Sequence, residues 1–281
     1  MTIFELPQLD ALIRAALAED VGRGDVTTRL TVPPGRRAIG ALLAKQQGVL
    51  AGLPLVARVF AAMGAAVRVD ERLHDGAAFS AGTTLAAIEG LAADLLIGER
   101  LALNLVQRLS GVATVTRRYV NAVAGTRARV IDTRKTTPGL RALEKYAVRV
   151  GGGGNHRSGL DDGILIKDNH ITAAGGVGAA LAVARRGAPH GLRIEIECAT
   201  LAQVDEALAA GAEAILLDNM PVAQLAEAVR RIAGRAVTEA SGGVTLETIR
   251  AIAETGVDLI SVGALTHSAP AIDISMKIQL T

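Results

Sequence analysis

Residues 194–197 read Ile194-Glu195-Ile196-Glu197, and an amphipathic run, Leu201–Ala210, follows closely. Side chains of a strand point alternately to opposite faces, so the two isoleucines share one face and the two glutamates the other. Isoleucines packed under helices and glutamates pointing into an open mouth describe one strand of a barrel. Working outward, five more short apolar runs have the same character: Ala128–Ile131, Ile164–Ile166, Ala214–Leu217, Ala236–Thr238 and Leu259–Val262. Helical patterns lie between them at Gly178–Arg186, Val222–Ile232 and Leu246–Glu254. Alternation of strand and helix over about 140 residues predicts parallel strands with covering helices, as a barrel or a doubly wound sheet. No G-x-G-x-x-G fingerprint opens the series, so a barrel of about six parallel strands is expected.

The chain before Gly125 is organised differently. Leu9, Leu12, Ile13, Ala16 and Leu17 recur at helical spacing, with Pro7 near the start. Two glycines among three acids then break the pattern in Glu19-Asp20-Val21-Gly22-Arg23-Gly24-Asp25. From Thr27 to Glu89, short apolar runs between turn signals such as Pro33-Pro34-Gly35, Asp75-Gly76 and Ala81-Gly82 predict a small sheet. One helix is expected around Leu55–Met63. A long helical stretch follows over Ala92–Ala124, with a bend or interruption at Ser110-Gly111.

Composition narrows the function. The 281 residues are 50% hydrophobic, 21% charged and 2% aromatic, which excludes a disordered or collagen-like chain. A single cysteine, Cys198, excludes a disulfide scaffold and points to a reducing compartment. No apolar run approaches the ~18 residues that span a bilayer, and the first residues lack a charged-then-apolar signal pattern. A cytoplasmic protein without a membrane partner is expected. The net charge of +2 arises from 30 Lys and Arg interleaved with 28 Asp and Glu. There is no Trp, with two Tyr and three Phe, which speaks against nucleic acid, whose binders cluster basic residues and stack bases on aromatics. A small anionic substrate accounts better for the basic excess.

The chemistry collects where the strands end, which is where β/α barrels keep their active sites. The first run ends in Asp132-Thr133-Arg134-Lys135 and the second in Lys167-Asp168-Asn169-His170. The third ends at Glu197 and the fourth at Asp218-Asn219. The fifth leads into Glu239-Ala240-Ser241-Gly242-Gly243, and the sixth reaches Gly263. Exposure alone makes strand ends polar, but it does not sort cations to the first two ends and acids to the next two.

Individual residues carry alternatives. An inward carboxylate is costly unless it meets a cation. Glu197 and Asp218 on neighbouring strands have the character of a Mg²⁺ pair, which commonly combines carboxylates with substrate phosphates. Pairing with inner Arg or Lys is a serious alternative for Glu195 and less so for Glu197, which lies nearer the strand's end. Backbone N–H groups of Ser241-Gly242-Gly243, with the N-terminus of the helix at Leu246, form a phosphate cradle to which Gly263 adds. The run Gly151–Gly154 has no strand before it and reads as a flexible connection. Arg108, Arg134, Lys135, Arg157 and Lys167 suit carboxylates and phosphates, with a salt-bridge role open for Lys135. Sequence context leaves the charge of His156 undecided.

These segments resemble the quinolinate phosphoribosyltransferase family over nearly the whole chain. The resemblance rests on 19–27, 108–114 and Asp132-Thr133-Arg134-Lys135-Thr136-Thr137-Pro138-Gly139-Leu140-Arg141. It continues through Glu144-Lys145-Tyr146-Ala147-Val148, Gly151–Arg157, Leu165–His170, Leu217-Asp218-Asn219, Glu239–Gly243 and Leu265–Ser268. Met276 stands where leucine is commoner. The resemblance implies an N-terminal α/β sandwich over 1–111, completed by 273–281, and an open α/β barrel over 112–272. It implies a homodimer with shared active sites, in which Arg108 reaches across the interface.

By the same similarity Arg134, His156, Arg157 and Lys167 hold the two carboxylates of quinolinate. Thr133 joins the substrate-binding set, and Lys135 serves phosphoribosyl pyrophosphate. Glu197 and Asp218 bind the ribose hydroxyls and Mg²⁺, and Ser241, Gly242, Gly243 and Gly263 take the 5′-phosphate. Lys135, Lys167, Glu197 and Asp218 form the implied catalytic set. The implied chemistry has pyrophosphate leave a ribose carbon as the quinolinate nitrogen attacks it. The resulting pyridinium then draws electrons from the C2 carboxylate, and CO₂ departs without an organic cofactor or an obligatory general base. A related branch tied to molybdenum transport tends to lose the segments that stand here as Asn155-His156-Arg157 and Glu144–Val148. A non-catalytic anion-binding regulator would have no need of paired acids at Glu197 and Asp218.

Overall fold

The computed structural model describes residues 7–281. Residues 1–6, which enter both the leader expectation and the 1–111 boundary, lie outside the described residues. The chain divides into two compact units. The first runs up to Val115 and includes Thr137–Gly151 and Ala269–Thr281. The second comprises Thr116–Thr136 and Gly152–Ser268.

The first unit is built on a four-stranded antiparallel sheet, ordered Ile274–Leu280, Arg37–Ala44, Thr84–Leu91, Arg68–Glu71. The last strand of the chain thus pairs with an early one, from Ala38 opposite Leu280 to Ala44 opposite Ile274. Leu42, Leu85, Ile88 and Leu95 are buried with Phe60 of the helix Pro54–Ala62. Each such side chain contributes roughly 1.5–3 kcal/mol on burial. Met276 lies over Gly40, where an added Cβ would meet its sulfur at 2.7 Å.

The long helix Ala92–Ala122 runs without the interruption expected at Ser110-Gly111. Ser110 instead ties the helix to the chain beside it, its Oγ accepting the Ala51 N–H at 3.1 Å. Gly111 lets the Pro270 carbonyl approach so closely that a Cβ would sit 2.0 Å from its oxygen. The small residues mark close packing within an unbroken helix.

Helices also form where the sequence reading placed none. Val26–Thr31 forms because Asp25 caps it, accepting the Thr28 N–H at 2.9 Å, although the six residues read as the start of the sheet. Arg141–Val150 buries Glu144 and Lys145, which defeats a pattern that looks for apolar residues on the inner face. Asp168–Ala174 is short, and its first turn is set by the Lys167 N–H donating to His170 Nδ1 at 2.9 Å.

The second unit holds six parallel strands: Arg129–Ile131, Ile164–Ile166, Ile194–Cys198, Ala214–Asp218, Val237–Ser241 and Leu259–Ser261. Numbered along the chain, their spatial order is first, sixth, fifth, fourth, third, second, so the barrel is open between the first and second. Gly154 lies along the open edge, its N–H donating to Val130 O at 2.8 Å and its carbonyl accepting the Asp132 N–H at 3.1 Å. The glycine run is therefore an ordered edge segment rather than a flexible connection. Ile194, Ile196 and Cys198 are buried, and the helices Val177–Gly187 and Leu201–Ala209 pack on their strand. Glu195 and Glu197 occupy the alternate positions, as the alternation predicts. No helix of the described residues is long and apolar enough to cross a membrane.

Candidate active site

The carboxyl ends of the barrel strands enclose a cavity of about 300 Å³. Thr133, Arg134 and Lys135 enter it from the first strand, and His156 and Arg157 from the open edge. Lys167, Glu197 and Asp218 come from the second, third and fourth strands, and Ser241, Gly242 and Gly243 from the fifth. Every residue of the implied substrate-binding and catalytic set is in this lining except two. Gly263 sits beside it, where an added Cβ would lie 3.1 Å from the Lys135 Cδ. Arg108 belongs to the first unit.

Arg108 is fixed there by a buried acid. Glu144 Oε1 accepts its Nε and Nη2 at 3.1 and 2.8 Å, and the Ala269 carbonyl accepts Nη1 at 2.7 Å. Glu144 also accepts the Thr137 backbone N–H at 3.0 Å and its hydroxyl at 2.7 Å. The nearby Tyr146 hydroxyl donates to Asp75 at 2.7 Å. The Glu144–Val148 motif is thus a brace of the first unit.

On the cationic side of the cavity, burial and the neighbouring Arg134 charge hold the Arg157 guanidinium below its usual range. Two like charges kept together in a half-buried site favour an anion between them. Arg157 Nη1 donates to the Gly163 carbonyl at 3.0 Å. On the acidic side, Lys167 Nζ lies 3.6 Å from Glu197 Oε2. Burial raises the Glu197 carboxyl; Lys167 opposes this, and the charges of Asp218 and Asp168 add to the rise. A divalent cation would relieve both the burial and the repulsion, and two carboxylates are the hard oxygen donors Mg²⁺ prefers.

The glycine cradle depends on backbone geometry. Gly242 has φ +100°, and a Cβ there would lie 2.1 Å from Asn219 Oδ1. Asn219 adopts φ +53° and donates its N–H to the Ser241 carbonyl at 2.8 Å, bringing the fourth and fifth strand ends together. The following helix begins at Ile249, not at Leu246, and has six residues. The cradle is therefore the 241–243 turn itself, without a helix end behind it.

Three acids lie outside the site set that the sequence implied. Asp132 is fully buried and accepts the Asn155 amide at 2.5 Å and the His156 backbone N–H at 2.9 Å. Glu195 faces His156, its Oε2 at 3.1 Å from Nε2, instead of an inner Arg or Lys. Glu239, 1% exposed, approaches the same nitrogen at 3.7 Å. Burial, reinforced by Glu195, pushes the Glu239 carboxyl up to about 8. The signal for Glu239 was that it shares a strand face with Val237 and Ser241, by the same period that placed Glu195 and Glu197.

A β/α barrel with clustered cations, paired acids and a glycine turn at its strand ends is an enzyme fold arranged for a polyanionic substrate. Family models for the N-terminal and C-terminal domains of quinolinate phosphoribosyl transferase match residues 25–110 and 112–277. A nicotinate-nucleotide pyrophosphorylase [carboxylating] of Mycobacterium leprae is 49% identical over 274 residues, 95% of each chain. A probable nicotinate-nucleotide pyrophosphorylase [carboxylating] of Synechocystis is 47% identical, covering 96% of this chain and 92% of that one. The crystal structure of NadC from Streptococcus pyogenes superposes with a TM-score of 0.95 at 44% identity, covering 100% of this chain and 99% of the other. The chain belongs to the quinolinate phosphoribosyltransferase family.

Proposed function

We propose that the barrel mouth seats quinolinate and phosphoribosyl pyrophosphate together and performs the family reaction with the residues that line it. The 5-phosphoribosyl group passes to the quinolinate nitrogen, pyrophosphate leaves, and the C2 carboxylate departs as CO₂. The product is nicotinate mononucleotide for NAD synthesis. The observation that carries this reading is one cavity with Arg134 and Arg157 on one side and Glu197, Asp218 and the 241–243 turn on the other.

Arg134, Arg157 and Lys167 bind the quinolinate carboxylates and orient the ring nitrogen towards the ribose carbon. Positioning of this kind supplies much of the rate when both reactants are held in line. Lys135 and Thr133 hold the pyrophosphate end of the second substrate, and its developing negative charge stays beside the lysine. Ser241, Gly242, Gly243 and Gly263 receive the 5′-phosphate, and Glu197 and Asp218 accept hydrogen bonds from the ribose hydroxyls. Glu197 and Asp218 would also hold Mg²⁺, which when bound supplies charge neutralisation for the departing pyrophosphate. After transfer the ring nitrogen is positive. The electron pair of the C2–carboxylate bond collapses towards it, CO₂ leaves, and a proton takes its place. The working unit is a homodimer in which Arg108 of one copy completes the quinolinate site of the other.

Calorimetric titration of phosphoribosyl pyrophosphate in the presence of Mg²⁺ tests the acidic side. Glu197→Ala and Asp218→Ala are expected to lose turnover together with the Mg²⁺-dependent part of binding. Unchanged binding in both variants would remove these residues from the metal assignment.

A further inference from the structure

His156, Arg157 and Glu239 line the barrel mouth and also a second cavity of about 310 Å³. That second cavity is bounded by Arg129, Ile164, Ala214, Val237 and Leu259, the first residues of their strands. The three shared residues are therefore the wall between the mouth and the lower barrel. In this wall the His156 ring is hydrogen-bonded at Nδ1 and faces two carboxylates with Nε2. Nδ1 accepts the Arg157 backbone N–H at 2.7 Å, which leaves the ring proton on Nε2. Nε2 points at two carboxylates, Glu195 at 3.1 Å and Glu239 at 3.7 Å. Three potential ligand atoms lie within 4.8 Å of one another, and Nε2 meets the two carboxylates at ion-pair distance. Glu239 is buried, and its Oε1 makes no hydrogen bond.

We propose that Glu239 and Glu195 are positioning residues for quinolinate: they fix the His156 ring through Nε2, and the ring, through Nδ1, fixes the backbone that presents the Arg157 guanidinium to a substrate carboxylate. This rests on the reading of the mouth as the quinolinate site. The chain of contacts is continuous: carboxylates to imidazole, imidazole to the Arg157 N–H, and Arg157 Nη1 to the Gly163 carbonyl. Asp132 holds the other end of the same dipeptide through the His156 N–H at 2.9 Å. Loss of the carboxylates frees the ring to turn and shifts the guanidinium without removing it. The guanidinium that shifts belongs to the cationic pair of Arg157 and Arg134, so the loss is expected on quinolinate and not on the second substrate.

Steady-state kinetics of Glu239→Ala, Glu239→Leu and Glu239→Gln test this, with both substrates varied in turn. The Ala and Leu variants are expected to raise KM for quinolinate by about tenfold or more, as a misplaced binding group does, and leave KM for phosphoribosyl pyrophosphate within about twofold. Glu239→Gln, which keeps an oxygen for Nε2, should return KM for quinolinate to within about threefold of the parent. Glu239→Leu fills the space of the side chain and stands in should the Ala variant fail to fold. The two KM values rising together, or neither moving, would overturn the positioning role while leaving the reaction intact. A parent protein that turns over no quinolinate would overturn the functional reading and this inference with it.

Discussion

The backbone N–H of Arg157 donates to Nδ1 of His156 at 2.7 Å, so the arginine is held by its main chain independently of what its guanidinium binds. Arg157→Ala therefore keeps this main-chain hydrogen bond and removes the cation together with its hydrogen bond to the Gly163 carbonyl. The expected result is an unchanged melting temperature with quinolinate affinity weakened by about 2 kcal/mol or more, as when one partner of a half-buried charge pair is truncated. Calorimetric titration with quinolinate reads it directly, and unchanged affinity would remove Arg157 from the substrate site.

Gly242 offers a separate handle on the second substrate. Its φ of +100° and the Asn219 Oδ1 at 2.1 Å from a hypothetical Cβ make any side chain there both strained and obstructed. Gly242→Ala is expected to raise KM for phosphoribosyl pyrophosphate by about tenfold, through displaced backbone donors, with KM for quinolinate little changed. Equal effects on both substrates would argue against a phosphate cradle at this turn.

Glu239 gives the stability a pH dependence whose sign follows from its environment. Burial, with the charge of Glu195 beside it, raises the folded-state value from 4.5 to about 8, while His156 opposes the rise. The folded protein then binds more protons than the unfolded chain between these values, so stability falls as pH rises through that window. The contribution is fully present below 4.5 and lost above about 8. Thermal unfolding from pH 5 to 8 should show a smaller decline for Glu239→Gln than for the parent. Parallel curves would contradict the assignment of a buried neutral carboxyl.

The parallel barrel was legible because its strands announce themselves by period. Ile194-Glu195-Ile196-Glu197 carries its own inside and outside, and Val222–Ile232 appears as a helix over the same residues in sequence and structure. The lining of the mouth was legible for the same reason, since strand ends are countable from the runs that precede them. What escaped depends on contacts between distant residues. Arg141–Val150 was not picked out as a helix, and its inner face carries Glu144, whose partner Arg108 is 36 residues away. The Gly151–Gly154 run looked flexible because its partner, the first strand's open edge, exists only once the barrel fails to close. Ser110-Gly111 looked like a break because close approach of the Pro270 carbonyl leaves no local trace. The wall formed by His156, Glu195 and Glu239 belongs with these, since three separate segments converge on one nitrogen.

The central claim is that this mouth joins quinolinate to the phosphoribosyl group and releases the C2 carboxylate. Mass spectrometry of the purified protein, incubated with Mg²⁺, phosphoribosyl pyrophosphate and quinolinate labelled with ¹³C in the C2 carboxyl, tests it beside a nicotinate control. The account predicts nicotinate mononucleotide and labelled CO₂ from quinolinate, and no nucleotide from nicotinate. Nucleotide from nicotinate but not from quinolinate, or binding of both substrates without turnover, would contradict it.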